Sequence, residues 1–115
     1  MQIHSINSYN PNSRALDYRK VIGNDRSFVM DELKQLEELG KKYDITLKSD
    51  VAIIIAPYKC IKVTVSPLRE NLSFLRKIFR PKVSLNFYTT EQTPYPEADN
   101  EYLTDIVKYA INALK

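Results

Sequence analysis

The residues able to do covalent or acid–base chemistry are few and scattered. The chain has one cysteine, Cys60, and one histidine, His4. A nucleophilic thiolate needs a base or a cation beside it. His4 lies in a stretch without sustained apolar period, whereas Cys60 falls in an alternating, strand-like run. A dyad would require the N-terminal stretch to fold across the sheet, so Cys60 is expected to be a partly buried, unreactive thiol. One cysteine and one histidine also cannot build an internal disulfide or a Cys/His zinc site. The two glycines, Gly23 and Gly40, are too far apart for a phosphate-cradling loop, which needs neighbouring backbone N–H groups unobstructed by side chains. Glu97, Asp99, Glu101 and Asp105 offer the oxygen ligands that calcium or magnesium prefer. They lack the glycine and register of an EF-hand, and carboxylates gather at a helix start for the sake of the macrodipole alone. The expectation is a non-enzymatic protein with no cofactor and no metal.

Residues suited to binding form two groups. The first is basic: in SPLRENLSFLRKIFRPK, residues 66–82, five cations stand against the single carboxylate of Glu70. Read as one helix, this segment places Leu68, Leu72, Leu75 and Phe79 on an apolar stripe widened by Phe74 and Ile78. Arg69, Arg76 and Arg80 then fall within roughly 40° of each other on the opposite side. With Lys77 and Lys82 they make a strip able to grip phosphates. A solvated helix face rich in cations toward its C-terminus is the competing reading. Because Phe74 and Phe79 belong to the apolar side, base stacking is not expected from this arrangement. The second group is a sheet face. If Ile45, Leu47, Val51, Ile53, Ile55, Ile61, Val63, Val65, Val83, Leu85 and Phe87 face the helices, alternation puts Ala52, Ile54, Cys60, Thr64 and Tyr88 on the reverse. That set is small or apolar, so a cover over it is expected, supplied by the chain itself or by a partner. Several of the eight tyrosines, Tyr9, Tyr18 and Tyr95 among them, fall in loop-like segments, where an amphipathic ring suits either a partner or the domain's own surface.

The elements that position these groups follow from periodicity and breakers. Residues 1–26, rich in Asn, Ser and Tyr, read as an extended or irregular N-terminal arm. From Ser27, apolar residues at three- and four-residue steps (Val29, Leu33, Leu36) predict a helix to about Tyr43. The period then becomes two. ITLK, VAIIIAP and KCIKVTVS predict a three-stranded meander with VAIIIAP central. Ser66 followed by Pro67 predicts the start of a second helix, ending before Pro81. KVSLNFYTT predicts a fourth strand, and a last helix opens near Asn100, capped by Asp99, with Leu103, Ile106, Val107 and Ala110 inward. The fold class is α+β: a four-stranded, mostly antiparallel sheet with three helices packed chiefly on one face. Its order is α-β-β-β-α-β-α after the arm, with residues 27–115 forming a single domain.

At 115 residues, one such domain buries roughly 65% of its unfolded surface and folds without staples. Hydrophobic content of 43% with 27% charge is that of a globular chain rather than a disordered one. The longest apolar run, VAIIIAP, is far too short to cross a bilayer, and the N-terminus lacks the pattern of a secretory signal. A cytoplasmic location without a membrane partner is therefore expected. The net charge of +3 is segregated, with seven cations and one anion in residues 51–82. That concentration matters more for steering a partner than the total. The function expected is a small interaction module that binds a protein partner or itself through the sheet face and the arm. The alternative is nucleic-acid binding by the helix around residues 67–80, through Arg69, Arg76, Lys77, Arg80 and Lys82.

Overall fold

A computed structural model describes residues 16–68, 72–89 and 102–115, and for Arg76 and Lys77 the backbone. Among these residues four strands form one mixed sheet in the order β1-β2-β3-β4. They are β1 (Leu16–Lys20), β2 (Tyr43–Ile53), β3 (Pro57–Pro67) and β4 (Val83–Tyr88). The β2–β3 and β3–β4 pairs are antiparallel, and β1 lies parallel to β2 with Leu16 opposite Ile45. A parallel neighbour requires a crossover. Here it consists of a single 3₁₀ turn (Gly23–Asp25), α1 (Arg26–Asp31) and α2 (Leu33–Gly40). Gly23 begins that crossover at φ +61°, a left-handed conformation that costs glycine little and side-chain-bearing residues more. The remaining helices are α3 (Phe74–Ile78) and α4 (Leu103–Leu114).

The core sits between one face of the sheet and the helices. Ile45, Leu47, Ile61, Val63, Val65 and Phe87 point to it from the strands, meeting Val29 of α1, Leu36 of α2 and Leu103, Val107 and Ala110 of α4. Core residues recur at two-residue steps in β2 (Ile45, Leu47) and β3 (Ile61, Val63, Val65), and the α+β class with its mostly antiparallel sheet of four strands is as expected. The partition differs in three places. Ser49 and Asp50, expected to turn the chain, lie inside one strand of 11 residues that joins ITLK to the start of VAIIIAP. The turn falls instead at Ile54–Ala56, closed by the Ile54 N–H donating to the Ala56 carbonyl at 3.3 Å. The fourth strand comes from residues assigned to the arm, since LDYRK pairs along the edge of β2 and buries Leu16 and Tyr18. Of the rest of the arm, Gly23–Asp25 forms the 3₁₀ turn and Arg26 opens α1, and residues 1–15 lie outside the described residues.

The first helix breaks at Glu32, whose φ of −122° and ψ of 18° depart from helical values. The break has a visible partner. The Glu32 carboxylate accepts the backbone N–H of Leu103 at 2.9 Å and that of Thr104 at 2.8 Å. These are two of the four N–H groups that the start of α4 leaves without an intrahelical acceptor. Tyr102, the residue flanking α4, offers no side-chain cap. A carboxylate from the junction of α1 and α2 therefore does the capping, joining the crossover to α4 over more than seventy residues of chain. Asp99, expected as the cap, lies outside the described residues.

Candidate functional site

The second predicted helix takes a different form. β3 continues through Pro67, which pairs with Tyr43, so Ser66 and Pro67 end a strand rather than start a helix. At a strand end the missing proline N–H breaks no ladder. Among the described residues of this segment, only Phe74–Ile78 is helical. Arg69 lies outside the described residues and Arg80 follows the helix, so the common helical face that would align Arg69, Arg76 and Arg80 does not form. Arg76 and Lys77 stand on the short helix itself. The half-buried Arg80 guanidinium donates to the Pro67 carbonyl, at 3.3 Å from Nε and 2.9 Å from Nη2, and pairs with the Asp44 carboxylate of β2. It closes the β3–β4 connection onto the sheet and is not free to grip phosphate. Lys82 is exposed.

The apolar stripe departs further from expectation. Leu68 is buried, but Phe74 and Phe79 are 76% and 78% exposed, and Leu75 and Ile78 are exposed with them. A helix of five residues is too short to hold both an inward and an outward stripe over several turns. The phenyl rings, expected inside, are at the surface in the most basic part of the chain.

On the reverse face of the sheet, Ala52, Thr64 and Tyr88 are half-buried, while Thr46 and Ser84 are exposed. The face is more polar than the five residues chosen for it suggest. The Thr64 and Ser84 hydroxyls lie within hydrogen-bonding distance at 3.1 Å, and Tyr88 meets Tyr58 edge to face with centroids 6.3 Å apart. Cys60 is the exception at 1% exposure, set between Asp50 of β2 and Tyr88 of β4. Burial pushes its thiol pKa up, the Asp50 carboxylate pushes it further, and a backbone hydrogen bond from Ala52 opposes them only in part. A thiol so placed stays protonated and makes a poor nucleophile. Ile54, expected on this face, belongs to the hairpin turn.

The hairpin turn is the feature the sequence pattern hides. Val51 and Ile53 continue the inward alternation of Ile45 and Leu47, yet Ile53 is 80% exposed and Ile55, in the turn beyond it, 96%. The reason is register. β1 reaches only to Lys48 along β2, and β4 reaches only to Cys60 along β3. Beyond those points the two strands continue as a ribbon, and among the described residues no strand pairs with the outer edges of Val51–Ile53 or of Pro57 and Tyr58. Ala52, Ile53 and Ile54 form one wall of a cleft of about 550 Å³, with Tyr88 and Leu85 of β4 and Tyr109 of α4 opposite.

A second cleft of about 530 Å³ separates Phe28, Asp31 and Gln35 from Tyr102, Asp105 and Lys108. Among the described residues no three His, Cys, Asp or Glu side chains gather as metal ligands, and no helix is long and apolar enough to cross a membrane. His4, Glu97, Asp99 and Glu101 lie outside the described residues. No protein family, curated relative or solved structure matches the chain.

Proposed function

We propose that the chain is a non-enzymatic interaction module that binds a protein partner, or a second copy of itself, through the free end of the β2–β3 hairpin. The observation that carries this reading is the exposure of Ile53 and Ile55 at the tip of a ribbon along which, among the described residues, no strand pairs with Val51–Ile53 or with Pro57 and Tyr58 on their outer edges. Burying an isoleucine side chain is worth about 1.5–3 kcal/mol, and a folded monomer gains none of that at a bare tip. The unpaired backbone groups add a second source of attraction, because an exposed strand edge is a template for another strand. The adjoining cleft adds Tyr88 of β4 and Tyr109 of α4 to this surface. Aromatic residues at an interface provide large contact area with a polar end.

The test is the double variant Ile53→Ser, Ile55→Ser. Both residues are outside the core cluster, so thermal stability should be close to that of the wild type. Light scattering after size exclusion, together with capture from the protein's own cells, should show association in the wild type and its loss in the variant. Equal association by both proteins would sink the proposal.

A further inference from the structure

We propose that residues 74–82, leading into β4, are a platform for single-stranded nucleic acid, on which bases stack against Phe74 and Phe79 while neighbouring cations hold the phosphates. This surface is separate from the hairpin end, since Pro67 and Pro57 are at opposite ends of β3.

Charge decides the class of partner. Residues 66–82 hold Arg69, Arg76, Lys77, Arg80 and Lys82 against Glu70, and no other stretch of the chain is as basic. A polyanion fits this segment, and a neutral or basic partner does not. The exposed rings decide which polyanion. Paired bases in a duplex are stacked on each other, whereas a single strand presents base faces that an aromatic side chain can take. Phe74 and Phe79 are both more than three-quarters exposed, and Arg76 and Lys77 lie between them in the chain. Aromatic rings interleaved with cations are what a sequence-tolerant single-strand site requires. The area argues against a stable protein interface here. The four exposed apolar side chains offer on the order of 500 Å², against about 800 Å² per partner in a standard interface. Arg80 has a different role: its ties to Asp44 and the Pro67 carbonyl fix where the segment leaves the sheet. Lys82, exposed beside it, is available to a phosphate.

The experiment is fluorescence anisotropy with a labelled twenty-nucleotide oligothymidine and the full chain. With about three phosphates held, the log–log salt slope is near −2, so raising salt from 50 to 200 mM weakens binding about fifteenfold. Phe74→Ala with Phe79→Ala should weaken binding at least tenfold while leaving the salt slope unchanged, because stacking is lost and charge is kept. Lys82→Gln should lower the slope by about 0.7. All three side chains are exposed, and circular dichroism should confirm an unchanged fold. No binding at 50 mM salt overturns the proposal. So does equal affinity of the double phenylalanine variant, or equal competition by a duplex of the same length. Binding to anionic lipid vesicles without binding to the oligonucleotide would assign the surface to a different partner and overturn it as well.

Discussion

Replacing Glu32 with alanine should destabilise the protein far more than its half-exposed position suggests. The carboxylate accepts two backbone N–H groups at the start of α4, at 2.9 and 2.8 Å, where the helix has no cap of its own. Losing a side-chain cap costs about 0.5–2 kcal/mol, and hydrogen bonds to a charged acceptor are worth about 1.5–3 kcal/mol. Since water can reach part of the site, about 2 kcal/mol is expected for Glu32→Ala. Glu32→Gln keeps one oxygen acceptor and should cost about 1 kcal/mol. In a urea titration followed by circular dichroism, with a slope of about 1.5 kcal/mol per molar, alanine should move the midpoint down by about 1.3 M. Glu38→Ala is the control. Its carboxylate meets Lys41 at 2.8 Å on an exposed face, where solvent screens the pair and its loss should leave the midpoint nearly unchanged. A midpoint shift for Glu32→Ala no larger than that of the control would refute the remote cap.

Other expectations follow from the same geometry. Leu47→Ala, in the core, should cost about 2–4 kcal/mol, whereas Ile53→Ala, three alternations further along the same strand face and exposed, should stay within about 0.5 kcal/mol in the same titration. Arg80→Met should cost about 1–2 kcal/mol, since it removes two hydrogen bonds to the Pro67 carbonyl and the pairing with Asp44. Cys60 should react slowly with an alkylating reagent near neutral pH. Its folded pKa lies above the unfolded value of about 8.5, so the thiol's share of stability is whole below that pH and is lost as pH rises through the folded value. Stability should therefore decline above pH of about 8.5, and Cys60→Ser should remove that part of the decline.

What the sequence discloses and what it conceals have physical causes. Alternation in ITLK, KCIKVTVS and KVSLNFY is a local consequence of the pleat, and it correctly places Leu47, Val63 and Phe87 inward. The pattern says which face a residue takes, not whether anything covers that face. Val51, Ile53 and Ile55 continue the inward alternation and still reach solvent, because coverage depends on how far β1 and β4 extend beside them. The same limit applies to Phe74 and Phe79. Their helical spacing implies an inward stripe, but β3 persists to Pro67 and, among the described residues beyond it, the helix is confined to Phe74–Ile78, too short to carry that stripe to the core. LDYRK carried a weak signal, with Leu16 and Tyr18 alternating against Asp17 and Arg19, and was masked by the polar residues before it. The Glu32 cap had no local signal at all, since its partners are contributed by the last helix.

The hairpin end is tested most directly by replacing Ile55 with a photoreactive phenylalanine analogue and irradiating the cells that make the protein. Asn112, exposed on α4, is the control position. An interaction through the hairpin predicts a discrete cross-linked product from position 55, either a dimer of this chain or a complex with one other protein, and none from position 112. Equal or absent cross-linking at the two positions would contradict it.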